Sequence, residues 1–173
     1  MTIIFSGICR IVPAPAVAPD CYRRYTINRL HVHIAVENLE QNIRFYSALF
    51  GNAPSVTKQD YAKWDLDEPA VNFAISSRGQ DTGLDHVGIQ TDSDEELATI
   101  RKRLEQAGIA GQEQADAACC YARSDKYWTQ DPQGIAWETF HTLDSIPTFN
   151  EGQEDPKDGS CCITPKLAAS NCC

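Results

Sequence analysis

The sequence predicts an α+β fold in which two βαβββ modules curl their strands into one half-barrel, with the helices outside. Two observations predict it. A strand, a helix and three further short strands follow one another over residues 30–79, and the same order returns over residues 84–142. A single unit of this kind cannot bury both one face of its sheet and the apolar stripe of its helix, whereas two units together can.

The first module opens with a strand over Leu30–Val36, in which apolar and polar side chains alternate between the two faces. Asn38 is a suitable N-cap for a helix that runs to about Phe50, and Gly51 is a suitable stop. The spacing of β-branched and aromatic residues then predicts three short strands, Ser55–Thr57, Tyr61–Leu66 and Val71–Ser76.

The second module repeats this order with a strand over Leu84–Thr91. Ser93 is the predicted N-cap of a helix through about Ala107, because acidic residues that favour a helix N-terminus follow it. Gly108 ends the helix. The predicted strands after it are Ile109–Glu113, Lys126–Gln130 and Gly134–Phe140.

The composition excludes two classes of partner. A net charge of −9 argues against binding to nucleic acid, which requires a basic surface. No apolar run approaches the ~18–20 residues that a membrane span needs, so we expect no membrane partner.

The eight cysteines do not form the pattern of a secreted disulfide framework. Six of them are sequence neighbours, and neighbouring Cα atoms are too close for an unstrained bridge, which leaves only bridges between different pairs as an alternative. The adjacent pairs are Cys119-Cys120, Cys161-Cys162 and Cys172-Cys173. We therefore expect reduced thiols and a cytoplasmic location.

The domain is expected over residues 30–145, between two flexible segments. Residues 1–29 hold several arginines and prolines and are interpreted as an extension, with a targeting segment as the alternative. Residues 146–173 form a polar tail whose cysteine pairs either bind soft metals or have little consequence.

Three residues are candidate metal ligands. His31 and His86 occupy the same position on the first strand of each module, and Glu138 lies on the last strand of the second. Two imidazoles and one carboxylate form a facial triad suited to Fe(II), although Ni, Mn, Co or Zn also bind such ligands. A strand histidine alone is more often structural than a ligand, and the symmetric placement favours the metal site.

Four segments carry a resemblance to a known family: "HVHIAVENLEQNIRFYSALFG", "LDHVGIQTDS", "ACCYARSDKYW" and "DPQGIAWETF". They resemble the vicinal-oxygen-chelate superfamily, which includes glyoxalases and extradiol dioxygenases. Within it they are similar to organoarsenical carbon–arsenic lyases and cadmium-induced proteins. The resemblance implies a half-barrel around a metal ion whose ligands fall on His31, His86 and Glu138. It favours His31 over His33, which shares the same face of the strand.

The resemblance also gives Cys119 and Cys120 a role as substrate-binding residues. Thiolates are soft ligands that suit trivalent arsenic, Cd(II) or Zn(II). Neighbours on a regular strand point to opposite faces, so both thiols can bind one atom only outside a regular strand. Ala115–Ala118 shows no strand pattern, and we therefore expect a mobile loop here.

The implied activity is that of a carbon–arsenic lyase resembling non-haem Fe(II) dioxygenases. It would use Fe(II) and O₂ to cleave a trivalent organoarsenical, such as methylarsonous acid or a reduced aromatic arsenical, to arsenite in detoxification. The alternatives are a non-catalytic protein that sequesters cadmium or arsenic, and another reaction on the same fold, namely glyoxalase, thiol transfer or extradiol cleavage. A homodimer, with modules paired within one chain or swapped between two, stays open.

Overall fold

The computed structural model describes residues 28–78 and 81–148, and these form the predicted α+β architecture. Each module consists of a strand, a helix and three further strands in chain order. The elements of the first module are β1 (Arg29–Ala35), α1 (Leu39–Phe50), β2 (Val56–Thr57), β3 (Tyr61–Asp67) and β4 (Ala70–Ser76). Those of the second are β5 (Gly83–Thr91), α2 (Asp94–Gln106), β6 (Gln112–Cys119), β7 (Ala122–Gln130) and β8 (Ala136–Ser145).

The eight strands form one mixed sheet in the order β2-β3-β4-β1-β5-β8-β7-β6. The modules meet through the antiparallel pair β1 and β5, and each of these strands has a parallel neighbour on its other side, β4 and β8 respectively. The sheet curls into the expected half-barrel. The two modules pair within one chain, so the first strand of each lies at the centre of the sheet.

Both helices begin at the predicted caps. The Asn38 side chain accepts a hydrogen bond from the Gln41 backbone N–H at 2.8 Å, and Gly51 ends α1 in the left-handed conformation. The Ser93 hydroxyl accepts a bond from the Glu96 backbone N–H at 3.3 Å. These contacts confirm the caps and satisfy backbone donors that a helix leaves unpaired at its first turn.

The aromatic core of the first module fixes its sheet against α1. Trp64, Phe73 and Ile75 are almost completely buried on the helix side of the sheet. Tyr46 of α1 packs against Phe73 with the ring centroids 4.5 Å apart. The Trp64 indole also donates to the Asn52 carbonyl at 3.1 Å, so burying it leaves no polar atom unpaired.

The second module departs from the prediction in its last three strands. The predicted strand Ile109–Glu113 is β6, which begins at Gln112 and continues to Cys119. The expectation of a mobile loop at Ala115–Ala118 was therefore wrong. These small residues carry no apolar alternation, and their conformation is set instead by hydrogen bonds to β7, with an irregular register between Gln114 and Ala117.

Most of the two predicted terminal segments lies outside the described residues, as do the cysteine pairs of the tail. Ile146 is buried, and its backbone N–H bonds to the Tyr121 carbonyl at 2.9 Å, so the packed domain includes this residue. Among the described residues, no helix has the length and apolar character of a membrane span.

Candidate active site

Three predicted ligands from three adjacent strands meet on the concave face of the sheet. His31 on β1 is paired with Gly88 on β5, and Gly88 is paired in turn with Glu138 on β8. His31 Nε2 lies 3.1 Å from His86 Nε2 and 3.7 Å from Glu138 Oε2. His86 Nε2 lies 3.4 Å from the same carboxylate oxygen. All three side chains are buried.

Gly88 makes this convergence possible. A Cβ atom at this position would lie 1.8 Å from the Glu138 carbonyl oxygen, so no larger residue fits without moving the backbone. The missing side chain allows β5 and β8 to approach closely. It also leaves free the space between the side chains of His31 and Glu138, which lie on the strands to either side of Gly88.

Hydrogen bonds to the Nδ1 atoms orient both imidazoles. His31 Nδ1 lies 3.1 Å from the Asn72 carbonyl oxygen, which can only accept, so this nitrogen carries the proton. Asn72 is itself held by a bond from its amide to Gln90 Oε1 at 2.8 Å. Nε2 of His31 is thereby left with a lone pair directed at the cluster, the arrangement typical of metal-binding histidines.

His86 is oriented by its own neighbour in sequence. Its Nδ1 lies 2.7 Å from Asp85 Oδ1. Neighbours on a regular strand cannot make such a bond, but the register shifts here, since His33 pairs with His86 and Ile34 with Leu84. Asp85 is the extra residue of this β-bulge, and the bulge re-aims its carboxylate.

The cluster fits a divalent metal ion. With the proton of each imidazole on Nδ1, two imidazole lone pairs and a carboxylate oxygen face one another. For bonds of about 2.0–2.1 Å, neighbouring ligand atoms lie about 3.0 Å apart in an octahedron and about 3.4 Å apart in a tetrahedron. The observed separations of 3.1, 3.4 and 3.7 Å match that range closely enough for small side-chain movements to complete it.

The charge states of the cluster also suit a metal. Burial lowers the pKa of His31 to about 4, with a further contribution from His86, so this imidazole is neutral at pH 7. Burial alone would raise the pKa of Glu138, but the Lys126 ammonium, the Oε1 partner at 2.5 Å, holds it well below the usual value. Neutral imidazoles and an ionised carboxylate are the forms that coordinate metals.

His33 is also buried beside this cluster, and nitrogens of His31, His33 and His86 all lie within 4.8 Å of one another. Its Nε2 is 3.0 Å from the Ser76 hydroxyl, and burial and the nearby His86 lower its pKa to about 3. The three histidines could together bind a metal. The Ser76 contact distinguishes His33 from His31, whose Nε2 faces the carboxylate.

The two neighbouring thiols lie on the same side of a tight hairpin. Cys119 is the last residue of β6 and is paired with Ala122, so Cys120 and Tyr121 form a two-residue turn. Both turn residues have positive φ, 59° and 64°, as a type I′ turn requires. The left-handed backbone at Cys120 breaks the strand alternation, and the two Sγ atoms lie 3.0 Å apart.

One cavity of about 150 Å³ contains both groups of residues. Its lining includes His31, His86 and Glu138 from the centre of the sheet and Cys119 and Cys120 from the hairpin. The structure thus brings together all five residues that the sequence singled out. A soft chelating pair and a cluster of nitrogen and oxygen ligands open onto the same small space.

Two further residues of this cavity have contacts that sequence reasoning missed. Lys126 binds Glu138 through an ion pair in which both side chains are buried. Tyr61 is buried beside the thiols, and burial together with these thiols raises its pKa well above the usual value. Strand alternation could have indicated Lys126, since it shares a face with Trp128, but nothing local linked Tyr61 to the hairpin.

Comparison with known proteins identifies the family and the fold of this chain. Residues 28–139 match the model of the Glyoxalase/Bleomycin resistance protein/Dioxygenase superfamily. The chain is 40% identical to the trivalent organoarsenical cleaving enzyme of Bacillus sp. strain MD1 over 83% of this chain and 88% of that protein. It is 34% identical to the enzyme of the same name from Thermomonospora curvata, over 83% and 93% of the two chains.

A cadmium-induced protein of Mycobacterium bovis is 30% identical over 85% of this chain and 93% of that protein. These relatives confirm the resemblance predicted from the four sequence segments.

Solved structures of low sequence identity share the fold. The substrate complex of homoprotocatechuate 2,3-dioxygenase from Brevibacterium fuscum aligns with a TM-score of 0.53 and 15% identity, over 72% of this chain and 39% of that chain. The Mn(II)-bound glyoxalase of Novosphingobium aromaticivorans aligns with a TM-score of 0.50 and 16% identity, over 69% and 42%. These likenesses confirm the predicted half-barrel.

Proposed function

We propose that this chain, which belongs to the Glyoxalase/Bleomycin resistance protein/Dioxygenase superfamily, cleaves the carbon–arsenic bond of trivalent organoarsenicals and releases arsenite. One observation carries the proposal, namely that the dithiol of Cys119 and Cys120 opens onto the same cavity as the cluster of His31, His86 and Glu138. Relatives at 34–40% identity that are named trivalent organoarsenical cleaving enzymes support it. The substrates proposed are methylarsonous acid and reduced aromatic arsenicals.

The dithiol would bind the arsenic atom of the substrate. In a compound R–As(OH)₂, the two thiols replace the two hydroxyl groups, and two water molecules leave with the thiol protons. Two sulfurs 3.0 Å apart are already arranged to bind one soft atom, so little ordering is needed on binding. The chelate then places the bond between arsenic and carbon inside a cavity only about 150 Å³ in volume.

We propose His31, His86 and Glu138 as the ligands of a divalent metal, with Fe(II) as the working ion and Ni, Mn, Co or Zn as substitutes. When bound, Fe(II) supplies the capacity to activate O₂ for oxidation at the carbon–arsenic bond. Three protein ligands on one side leave the opposite side of an ion open to small molecules.

The surrounding residues hold this arrangement. Lys126 binds Oε1 of Glu138 and leaves Oε2 directed at the histidines. Tyr61 packs its ring edge-on against His33, and its core cluster includes Cys119. Its raised pKa keeps the hydroxyl protonated, so this wall of the cavity carries no charge.

Arsenite release from methylarsonous acid tests the proposal. The protein is purified without oxygen, loaded with Fe(II), and assayed with and without O₂. We expect arsenite only when both are present, and we expect Cys119→Ser, Cys120→Ser and His86→Gln each to reduce the rate by at least about 100-fold. His141→Gln is the matched control, because His141 Nδ1 contacts the Thr91 carbonyl oxygen rather than the cluster.

Two results would refute this function. Tight arsenical or cadmium binding with no O₂-dependent product would favour the sequestering protein. An activity that survives replacement of both thiols would favour another reaction of the superfamily.

A further inference from the structure

The turn that carries the dithiol has a conformation that its residues do not favour. Cys120 and Tyr121 have φ values of 59° and 64°, and turns of this type normally use Asn and Gly. Residues with a Cβ remain in the left-handed region only where surrounding contacts hold them there. The contacts that hold this turn therefore decide whether the two sulfurs stay together.

The Tyr121 side chain is held from the other module, and its backbone carbonyl accepts a bond from the Ile146 N–H at 2.9 Å. The Tyr121 hydroxyl donates a hydrogen bond to Asp60 Oδ1 at 2.7 Å. The second carboxylate oxygen of Asp60 accepts a bond from Arg78 at 2.5 Å, and both of these side chains are partly buried. Asp60 directly precedes β3 and Arg78 closely follows β4. Residues at one edge of the first module therefore hold the tip of the β6–β7 hairpin through Tyr121.

The Tyr121 hydroxyl is well suited to this bond. Burial and the bond to Asp60 raise its pKa to about 12, so it remains a donor throughout the physiological range. A hydrogen bond to a charged carboxylate is stronger than one between neutral groups. Arg78 in turn fixes which way the carboxylate points.

We infer that Asp60, oriented by Arg78, is a positioning residue for the dithiol: it holds Tyr121 and so keeps Cys119 and Cys120 in the one turn conformation in which both sulfurs face the cavity. This inference rests on the proposed function, in which the dithiol binds arsenic. The chelation itself can be measured without turnover. Without the bond, the hairpin populates conformations with the thiols apart, and only the competent fraction chelates.

Binding of phenylarsine oxide, a trivalent aryl arsenical, tests the inference. The full chain is used with the other six cysteines replaced by serine, without metal and without oxygen, in competition with a small dithiol. We expect Asp60→Ala and Tyr121→Phe each to weaken chelation at least about tenfold, the effect of one lost bond to a charged group. The double variant should bind no more weakly than the weaker single variant, because both remove the same bond.

Asp67→Ala is the matched control, since Asp67 also pairs with an arginine from this module but lies away from the hairpin. It should leave chelation unchanged. The alkylation rate of single thiols by iodoacetamide should be similar in all variants, because positioning acts on the pair rather than on one thiol. The melting temperature should fall by no more than about 3–6 °C, the cost of one such bond in a domain of this size.

Three outcomes separate the explanations. Additive losses in the double variant, or a single-variant affinity within about twofold of wild type, would overturn the positioning role. A loss of chelation that the unfolded fraction at the assay temperature fully explains would show a folding defect and overturn it also. If the wild-type thiols did not chelate the arsenical at all, the proposed function would fail independently of Asp60.

Discussion

At residue scale, the proposed metal site depends on Gly88, which has no side chain. Gly88 lies between His31 and Glu138 in the row that crosses three strands, and its backbone is in close contact with that of Glu138. The need for glycine here comes from crowding by β8. The glycine is therefore as much part of the metal site as the ligands it separates.

Replacing Gly88 by alanine should damage both folding and metal binding. Its Cβ would meet the Glu138 carbonyl at 1.8 Å, and relief requires movement of β5 or β8. We expect a loss of unfolding free energy of at least about 1–3 kcal/mol, typical of overpacking, and weaker Co(II) binding in spectroscopic titration.

Gly134→Ala is the control for that substitution, because a Cβ there has open space although φ is positive. It should cost about 1–2 kcal/mol, the strain of a side chain at this φ, and leave Co(II) affinity unchanged. Equal Co(II) affinity in the Gly88 and Gly134 variants would contradict the role assigned to Gly88.

Asp85 acts on the site through His86. Its carboxylate fixes the proton on Nδ1 and leaves Nε2 for the metal. Loss of such a partner typically lowers metal affinity about 10–100-fold, and we expect this for Asp85→Ala in a Co(II) or Zn(II) titration. Glu113→Ala, which removes an exposed ion pair with Arg101, is the control; an unchanged affinity in Asp85→Ala would refute the proposed orientation.

At the scale of the element, β7 presents a charge where a strand normally buries apolar residues. Lys126 lies on the inward face with Trp128, and its ammonium is 2.5 Å from Glu138 and 5.7 Å from the indole centroid. A buried ion pair is stable only while both partners remain. This strand therefore depends on β8 for more than backbone hydrogen bonds.

Lys126→Met should destabilise the metal-free protein by about 3–5 kcal/mol, because it leaves a buried carboxylate uncompensated. The double variant Lys126→Met/Glu138→Gln should recover most of that loss in urea denaturation. Arg44→Met, which breaks an exposed ion pair with Glu40 on α1, should cost no more than about 1 kcal/mol. Failure of the double variant to recover stability would show that Lys126 acts mainly through packing.

The elements that the sequence predicted well are those with a strong local signal. Asn38 and Ser93 lie at helix starts because their side chains cap backbone donors, and this requires only nearby residues. The start of β6 was misplaced because its alanines show no alternation of apolar and polar residues. Their strand conformation comes from pairing with β7. The left-handed turn at Cys120 and the bulge at Asp85 come from tertiary contacts, which no short pattern contains.

For the site, the same distinction holds. The matching positions of His31 and His86 in two modules could be recognised from the repeat, and the adjacent cysteines from their spacing. Asp60 and Arg78 could not be, since they are joined to Tyr121 only by the fold.

At the scale of the whole molecule, the site exists only where the two modules meet. His31 belongs to the first module and His86 and Glu138 to the second, and the strand pair β1–β5 unites them in one chain. The dithiol hairpin extends from the second module to Asp60 of the first. Pairing of the modules therefore assembles both halves of the cavity at once.

Pairing within one chain makes a definite prediction for mixed variants. In this arrangement each chain supplies all three ligands, so His31→Ala and Glu138→Ala chains that are mixed, unfolded and refolded together should bind no more Co(II) than either alone. If modules were instead swapped between two chains, each mixed dimer would contain one intact site, and about a quarter of the wild-type Co(II) content would return. Absorption spectroscopy of bound Co(II), with refolded wild-type protein as the reference, distinguishes pairing within one chain from swapping between two. Recovered binding would show that the partner's module completes the site.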